Sequence, residues 1–198
     1  MEERRIIPPD YIISAYRKGF FPMAESAEQG APIYLYTAEQ RGIIPIETFH
    51  ISKRTLRYIK NYGYRATLNQ DFEGVIRGCA NRDSTWISPE IRDTYIYLHE
   101  MGVAHSIEVW KGDALIGGLY GVALGSAFFA ESMFQIESEG HKAALYFCHQ
   151  ALKASGFILW DVQFLTEHLV QFGCIEIPAA EYKKLLRKAL RKEARIKL

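Results

Sequence analysis

Hydrophobic residues recur along the chain at spacings that predict seven helices. Apolar side chains stand three or four positions apart, as on one face of a helix, and turn or capping residues flank most of these segments. Pro9 suits a first helical turn, and Ser52 and Thr166 suit N-caps. The predicted helices cover residues 8–22, 51–60, 72–80, 89–101, 138–154, 166–172 and 180–191.

Apolar runs of strand length lie between the later helices, and Lys111-Gly112-Asp113 predicts the tight turn of a hairpin. A strand-helix-strand order follows near the end of the chain. The pattern predicts an α/β (α+β) fold in which helices cover a mixed sheet. A small N-terminal subdomain, 1–40, ends in a loop and short strand over 23–40, and a main domain covers 41–198. The predicted strands are 64–68, 104–110, 114–120, two short strands within 122–135, and 157–164.

Glu131 and Asp161 are carboxylates within two of these predicted strands. Glu131 follows a run of small and aromatic residues, and Asp161 follows Phe157-Ile-Leu-Trp. Burying a charge is costly unless it is paired or used, so both carboxylates are candidate functional groups. Because strand side chains alternate, Asp161 and Gln163 should share one face of the sheet, as should Glu131 and Met133. The alternative is that both carboxylates lie at strand ends or on an exposed face.

The sequence lacks the motifs of several enzyme classes. It has no P-loop, no Gly-x-Gly-x-x-Gly, no His-Glu-x-x-His and no Gly-x-Ser-x-Gly. Six histidines are scattered without ligand spacing and three cysteines stand far apart, so we expect no metal site, no disulfide framework and no cofactor. His168 is the histidine to consider for catalysis, although a local hydrogen bond at a helix start is the commoner role.

The net charge of +1 conceals an uneven distribution. Residues 183–198 contain eight Lys or Arg and one Glu, which makes a basic tail on a mildly acidic body. Lys53, Arg57 and Lys60 fall on one face of the predicted helix 51–60, where they form a second basic surface or a merely solvated one. Because no apolar run has the length of a membrane span and the first residues lack the apolar core of a signal peptide, we expect the protein to remain in the cytoplasm.

Longer strings of residues carry a family resemblance. The longest is Tyr95-x-x-Leu-His-Glu-x-Gly-x-Ala-His-Ser-Ile-Glu-Val-Trp110. The others are Ala15-Tyr16-Arg17-x-Gly19-x-Phe21-Pro22, His50-Ile51-Ser52, Gly78-Cys79-Ala80, Thr85-Trp86-Ile87, Gly117-Gly118-x-Tyr120-Gly121-Val122, Glu131-Ser132-Met133-Phe134, Asp161-x-Gln163 and Glu176-Ile177-Pro178. Together they resemble the leucyl/phenylalanyl-tRNA–protein transferases from about residue 10 to 182.

This resemblance implies an aminoacyltransferase. Members of the family move leucine or phenylalanine, and less often methionine, from aminoacyl-tRNA to the N-terminal lysine or arginine of a protein, which marks that protein for degradation. The expected partners are therefore aminoacyl-tRNA and proteins with such N-termini. The resemblance also implies a catalytic domain with a fold similar to the GCN5-related N-acetyltransferases, in agreement with the mixed sheet predicted above.

The resemblance also assigns roles to individual residues. Asp161 and Gln163 correspond to the catalytic pair: Gln163 is suited to accept a hydrogen bond from the attacking amine, and Asp161 to hold it. Glu131 is suited to hold a cation. Trp86 corresponds to a residue that stacks on the terminal adenine of the tRNA. The remaining substrate contacts are Tyr16 and Tyr95 around the aminoacyl group, Met23 over the base, Met133, Leu119, Phe128 and Trp160 around the amino-acid side chain, and Lys53, Arg57 and Lys60 on the tRNA.

Strict alternation would place Phe128 and Glu131 on opposite faces of their strand, so both can face one site only if the strand contains a bulge. The residues by themselves also leave two other functions open. One is an acyl-CoA-dependent N-acetyltransferase on the same fold, although its pyrophosphate-binding loop, Arg/Gln-x-x-Gly-x-Gly/Ala, is absent. The other is a non-catalytic module that binds tRNA or N-terminal degradation signals, against which the pair Asp161 and Gln163 weighs.

Overall fold

The computed structural model describes residues 6–198, which contain seven helices and nine strands. The first five residues, on which the expectation about a signal peptide depends, lie outside the described residues. The helices are α1 (Pro9–Arg17), α2 (Lys53–Asn61), α3 (Phe72–Ala80), α4 (Pro89–Glu100), α5 (Gly140–Ala154), α6 (Glu167–Val170) and α7 (Ala179–Arg191). The strands are β1 (Phe21–Ala24), β2 (Ile33–Tyr36), β3 (Gln40–Ile43), β4 (Arg65–Leu68), β5 (Ala104–Lys111), β6 (Ala114–Leu124), β7 (Ala127–Gln135), β8 (Leu159–Gln163) and β9 (Ile175–Pro178).

Local sequence explains where several helices begin. The Ser52 side chain accepts a hydrogen bond from the Thr55 backbone at the start of α2, as the sequence predicts. Asp71 and Thr166 cap α3 and α6 in the same way. Pro9 occupies the first turn of α1, where the missing N–H has no cost.

Seven strands form one mixed sheet in the order β4-β5-β6-β7-β8-β3-β9. Neighbours are antiparallel except β7 and β8, which run parallel and are joined by the crossover helix α5. One face of the sheet packs against α1, α3, α4 and α7, and the other packs against α2, α5 and α6. We call these two layers the first and the second core. The predicted mixed sheet covered by helices is therefore confirmed.

The structure corrects three strand predictions. The segment 23–40 contains the end of β1, the whole of β2 and the first residue of β3 rather than one short strand: β1 and β2 form a two-stranded sheet, while β3 already belongs to the main sheet. Strand β6 continues to Leu124 instead of ending at Tyr120, and β9 has no predicted counterpart. The division of the chain at residue 40 stays a prediction, and α1 packs into the same core as α3, α4 and α7.

Two irregularities in the sheet create the space for a site. The pairing of β6 with β7 passes from Gly121–Ala130 to Tyr120–Ser132, so Glu131 is the extra residue of a bulge. A Cβ atom on Gly121 would lie 2.3 Å from the Phe129 carbonyl oxygen, so glycine permits this close approach. Strands β7 and β8 pair over three positions, 127–129 with 159–161, and then separate. A cavity opens where they diverge.

Candidate active site

Asp161 lies at the centre of a fully buried charge network. Its carboxylate accepts from Nε of Arg41 at 2.9 Å and from Nη2 of Arg41 at 2.8 Å. The Tyr182 hydroxyl donates to it at 2.6 Å, and the Gln163 backbone N–H donates at 2.9 Å. Asp161 is 0% exposed and Arg41 is 1% exposed. A bidentate pair with two further donors compensates the buried carboxylate, as the sequence requires of a charge in this strand.

Arg41 joins three distant parts of the chain. It stands on β3, and its Nη1 also donates to the Gly19 carbonyl at 3.2 Å. Its guanidinium lies 4.7 Å from the ring centroids of both Phe21 and Tyr182. Burial acts to lower the pKa of Arg41, but the adjacent Asp161 carboxylate outweighs burial and raises it. Local sequence patterns do not identify Arg41, since its partner lies 120 positions away.

Gln163 ends β8 in a conformation that few residues adopt. Its φ is 60°, in the left-handed region, and the Asp161 side chain holds its N–H in this conformation. Beside it the register of β3 shifts at Gly42, where a Cβ atom would lie 2.5 Å from the Phe164 carbonyl carbon. The backbone turn therefore directs the Gln163 side chain toward the gap between β7 and β8. There its Nε2 donates to Glu131 at 3.2 Å.

Glu131 has a different environment from Asp161. Tyr16 donates to its Oε1 at 2.7 Å and Tyr95 donates to its Oε2 at 3.0 Å, while the two hydroxyls also contact each other. Burial is the largest influence and raises the pKa of Glu131 to about 7, against the lowering effect of these hydroxyl donors. Asp161 raises the pKa further, and Arg41 lowers it. Glu131 is therefore a carboxylate that can change protonation near neutral pH.

Glu131 and Gln163 line a cavity of about 300 Å³. Its walls are mainly apolar, with a few polar groups on one side, as in many small-molecule sites. Trp86, Leu119 and Met133 also line it. Arg82 also lines the cavity and donates to the Met133 carbonyl at 2.7 Å and to the Ser132 hydroxyl at 2.9 Å. The remaining lining residues are Ala130, Ser132, Leu145, Val162, Thr166 and Leu169.

The structure separates the other predicted contacts into two groups. Tyr16 and Tyr95 are buried behind Glu131 and reach the site through it. Met23 is half-buried on β1, and the next residue, Ala24, donates its N–H to the Trp86 carbonyl at 3.3 Å, so Met23 lies close to Trp86 in the fold. Phe128 and Trp160 are buried in the second core and are not among the residues that line the cavity.

Alternation along β7 differs from the prediction because of the bulge. Glu131 contacts the tyrosines of the first core, whereas Met133 packs against the second core, so the prediction that they share a face is wrong. Phe128 also packs in the second core, and the bulge does not bring it to the face of Glu131. Along β8 the alternation holds as far as Val162, which packs in the second core while Asp161 contacts Tyr182 of the first.

The predicted basic surface lies on α2. Lys53, Arg57 and Lys60 are all exposed on this helix. The start of α2 is tied to α5 by a hydrogen bond from the Thr55 hydroxyl to Glu139 at 2.7 Å.

Among residues 6–198, no helix combines the length and the apolar character needed to cross a membrane.

An oriented amide and a carboxylate with a near-neutral pKa meet beside an apolar cavity. Such a site positions two reactants and responds to the charge that develops between them, instead of supplying a reactive nucleophile of its own. The fold and the site therefore suit an enzyme that transfers a group between two bound reactants.

Comparison with known proteins identifies the family. The sequence profile of leucyl/phenylalanyl-tRNA protein transferase matches residues 43–187, and that of its N-terminal domain matches residues 6–39. A leucyl/phenylalanyl-tRNA–protein transferase of Cereibacter sphaeroides is 48% identical over 184 residues, which is 93% of this chain and 86% of that protein. The Gloeobacter violaceus protein of the same name is 47% identical over 93% of this chain and 94% of its own length. The chain belongs to the leucyl/phenylalanyl-tRNA–protein transferase family, as the sequence predicts.

Proposed function

We propose that this protein transfers an aminoacyl group from aminoacyl-tRNA to the N-terminal amine of an acceptor protein. The observation that carries the proposal is the orientation of Gln163. Its Nε2 donates to Glu131, which leaves its Oε1 as the acceptor that the amide presents to the cavity. An attacking amine needs such an acceptor, and the same geometry keeps the amine beside Glu131.

The reaction needs little acid–base work. The amine nitrogen attacks the ester carbonyl carbon, a C–N bond forms, the ester C–O bond breaks, and the ribose oxygen leaves with the proton released by the amine. An α-amine with a pKa of about 7.7–8.0 is partly neutral at cellular pH, and the aminoacyl ester is already activated. Gln163 accepts a hydrogen bond from the attacking amine, while Asp161 acts as a positioning residue that fixes the Gln163 backbone.

The cavity suits the predicted substrates. Leu119, Met133 and Leu145 provide apolar surface for a leucyl or phenylalanyl side chain, and methionine fits the same chemistry. Glu131, at the polar side, offers a carboxylate to an acceptor with N-terminal lysine or arginine. We propose that Trp86 and Met23 hold the terminal adenine between them; the hydrogen bond from the N–H of Ala24, next to Met23, to the Trp86 carbonyl supports this. We propose that the aromatic side chains Tyr16 and Tyr95 set the position of Glu131.

The alternatives are less well supported. Membership of the family does not favour acetyl-CoA as the donor or a non-catalytic role, and the oriented Gln163 amide is a feature that a mere binding module has no need of. We retain Phe128 and Trp160 as support for the apolar wall, acting from behind the residues that line it. A cytoplasmic location stays a prediction from the sequence.

A single-turnover assay tests this function. Leu-, Phe- and Met-tRNA with labelled amino acids would be mixed with a peptide that begins with arginine, and the labelled peptide would be measured. The controls are the same peptide with an acetylated N-terminus and acetyl-CoA in place of the tRNA. We expect transfer to the peptide with the unmodified amine only, and only from aminoacyl-tRNA. Acetylation of the peptide by acetyl-CoA, or no transfer from any of the three tRNAs, would refute the proposal.

The tRNA surface has its own test. Reversing Lys53, Arg57 and Lys60 to Glu should raise the apparent KM for aminoacyl-tRNA strongly and leave the reaction of an aminoacyl-adenosine donor nearly unchanged, because phosphate contacts supply affinity without touching the chemistry. The slope of log K against log salt concentration should become shallower by roughly 0.7–0.9 for each phosphate that the variant no longer neutralises. A matched reversal of Lys183, Lys184 and Arg187 on α7 is the control. If only the α7 variant binds tRNA more weakly, the basic tail is the tRNA surface.

A further inference from the structure

A second cavity, of about 340 Å³, lies beside the active-site cavity and shares Arg82 and Met133 with it. Its other walls come from the end of α3, the end of β7 and the starts of α5 and α6. These walls carry Gly78, Asn81, Phe134, Gln135, His141 and His168. The proposed transfer reaction assigns no part to this cavity.

Two histidines of this cavity have an unsatisfied nitrogen. The rings of His141 and His168 lie 4.4 Å apart between centroids. Their Nδ1 atoms are occupied, by the Gln135 side-chain oxygen for His141 and by Nε2 of Gln171, at 3.1 Å, for His168. Both Nε2 atoms are buried, and neither has a hydrogen-bond partner among residues 6–198. Since buried polar atoms are normally paired, a ligand that enters the cavity would supply the missing partners.

The hydrogen bonds at Nδ1 decide what each Nε2 atom can do. His141 must donate from Nδ1 to the oxygen of Gln135, so its Nε2 is an acceptor in the neutral ring. His168 accepts at Nδ1 from Gln171, so its Nε2 carries the hydrogen and donates. Burial lowers the pKa of His141 to about 4, and burial likewise lowers the pKa of His168, so both rings are neutral at pH 7. The cavity therefore offers one donor and one acceptor side by side.

The cations near the second cavity and the position of this cavity restrict the class of ligand that it can bind. Arg82 lines the cavity, and Lys142, next to His141 in the chain, forms an ion pair with Glu139 at 2.9 Å. Glu139 in turn accepts from Thr55 at the start of α2. The second cavity thus adjoins the active-site cavity, and the start of α5, which forms one of its walls, is hydrogen-bonded to the start of α2, the helix that carries the predicted tRNA surface.

We propose that the second cavity binds the ribonucleotide that precedes the aminoacylated terminal nucleotide of the donor. The phosphodiester that joins this nucleotide to the terminal one accepts a hydrogen bond from Nε2–H of His168, and the positive charge of Arg82 favours this anion. The ribose 2′-hydroxyl of the same nucleotide donates to Nε2 of His141. A nucleotide of RNA carries both groups, an anionic acceptor and a hydroxyl donor, which a phosphate alone does not. This inference rests on the function proposed above.

Short donors test the proposal. Transfer would be measured from an aminoacyl-adenosine and from the corresponding aminoacylated dinucleotide. The dinucleotide should have a kcat/KM about tenfold higher in the wild-type protein, the factor expected for one hydrogen bond to a charged group. A neutral methylphosphonate linkage and a 2′-deoxyribose on the first nucleotide should each remove part of this advantage. No advantage of the dinucleotide over the aminoacyl-adenosine would overturn the proposal.

Variants locate the contact in the cavity. The double variant His141→Ala/His168→Ala should lose the dinucleotide advantage and react with aminoacyl-adenosine as the wild type does. Lys153→Ala, which removes an exposed cation at the far end of α5, is the control and should keep the advantage. If the double variant unfolds, His168→Phe, which keeps an aromatic ring but has no N–H to donate, should lose sensitivity to the methylphosphonate substitution. A KM change for the acceptor peptide instead of the donor would assign the cavity to the acceptor and overturn the proposal.

The two proposals fail in different ways. Wild-type transfer from full-length aminoacyl-tRNA and from aminoacyl-adenosine, with no effect of the added nucleotide, would refute the second cavity as a nucleotide site and leave the proposed function intact. No transfer from any donor would refute the proposed function itself.

Discussion

Asp161 and Glu131 are carboxylates on the neighbouring strands β8 and β7, but their hydrogen-bond partners differ in charge. Asp161 accepts four hydrogen bonds, two of them from a buried guanidinium. Glu131 accepts from two tyrosine hydroxyls and one amide, none of which carries a charge. Both side chains border the same gap between β7 and β8, but only Glu131 lines the cavity.

This difference in hydrogen-bond partners suits the two carboxylates to different roles: Asp161 to holding other groups in position, and Glu131 to interacting with a cation or a proton. A carboxylate held by a bidentate arginine has a fixed position, so Asp161 is suited to shape the backbone of Gln163. A carboxylate with neutral partners keeps much of its charge uncompensated, so Glu131 is suited to attract a cation or a proton. Substitutions of either carboxylate, or of a residue bonded to it, test the two roles separately.

The largest effect should follow removal of Asp161. Asp161→Ala leaves Arg41 buried and unpaired, which should lower the free energy of unfolding by about 3–5 kcal/mol. Glu131→Gln, which leaves no buried charge unpaired, should cost much less. Chemical denaturation of both variants, of Arg41→Met and of the double variant Arg41→Met/Asp161→Ala measures the difference. If the double variant loses as much stability as the two single changes added together, or more, Arg41 and Asp161 do not stabilise each other as the geometry indicates.

The pH dependence of stability should come from the other carboxylate. Because the pKa of Glu131 is raised to about 7 in the folded state from an ordinary value of 4.5, the folded protein binds more protons than the unfolded one between these values. Stability should therefore fall as pH rises through this window, by at most about 1.4 kcal/mol per pH unit, and level off above it. Denaturation of Glu131→Gln between pH 4.5 and 8 should show a shallower decline. Identical pH profiles would exclude the raised pKa.

Activity should depend on the Gln163 amide more than stability does. Gln163→Gly adopts the left-handed backbone easily but removes the amide, so kcat should fall at least tenfold while the unfolding transition stays close to that of the wild type. Gln163→Ala keeps a Cβ atom in the left-handed region, as the wild type does, so it should show the same loss of activity and be about 1 kcal/mol less stable than the glycine variant. Transfer to an arginine-initiated peptide and thermal unfolding are the two measurements. Near-normal turnover in the glycine variant would contradict a role for the amide.

The smallest effect should come from Tyr182→Phe. This change removes one of the four hydrogen bonds to Asp161 and leaves the arginine pair in place. The free energy of unfolding should drop by about 1 kcal/mol, with a modest decrease in transfer rate. Tyr95→Phe, which removes a donor to Glu131, is the matched change on the other side. It should raise the pKa of Glu131 further, which the pH profile of stability reports.

The sequence predicts that Asp161 and Glu131 need partners, because a charge within an apolar strand is costly to bury. It does not predict their partners. Arg41 and Tyr182 lie 120 and 21 positions from Asp161, and no local period connects them. The bulge at Glu131 is likewise a property of pairing between β6 and β7, so alternation along β7 by itself places Met133 on the wrong face.

The bounds of helices are easier to predict from the sequence than the bounds of strands, for a physical reason. Caps such as Ser52 and Thr166 mark helix starts within a few residues, whereas the ends of β6 depend on which neighbour it finds. Strand β9 is four residues long and ends at Pro178, and its assignment comes from pairing with β3. A single sequence carries little signal for such an element.

The ring of contacts around Asp161 also has a consequence for how the protein is made. It combines Gly19 near the beginning of the chain, Arg41 shortly after it, and Tyr182 on the last helix. A ribosome synthesises α7 after the strands that carry Glu131 and Gln163, so a nascent chain that already contains both residues still lacks one donor to the carboxylate that holds Gln163 in place. A chain truncated before α7 should therefore keep every residue of the cavity and still lack the finished geometry.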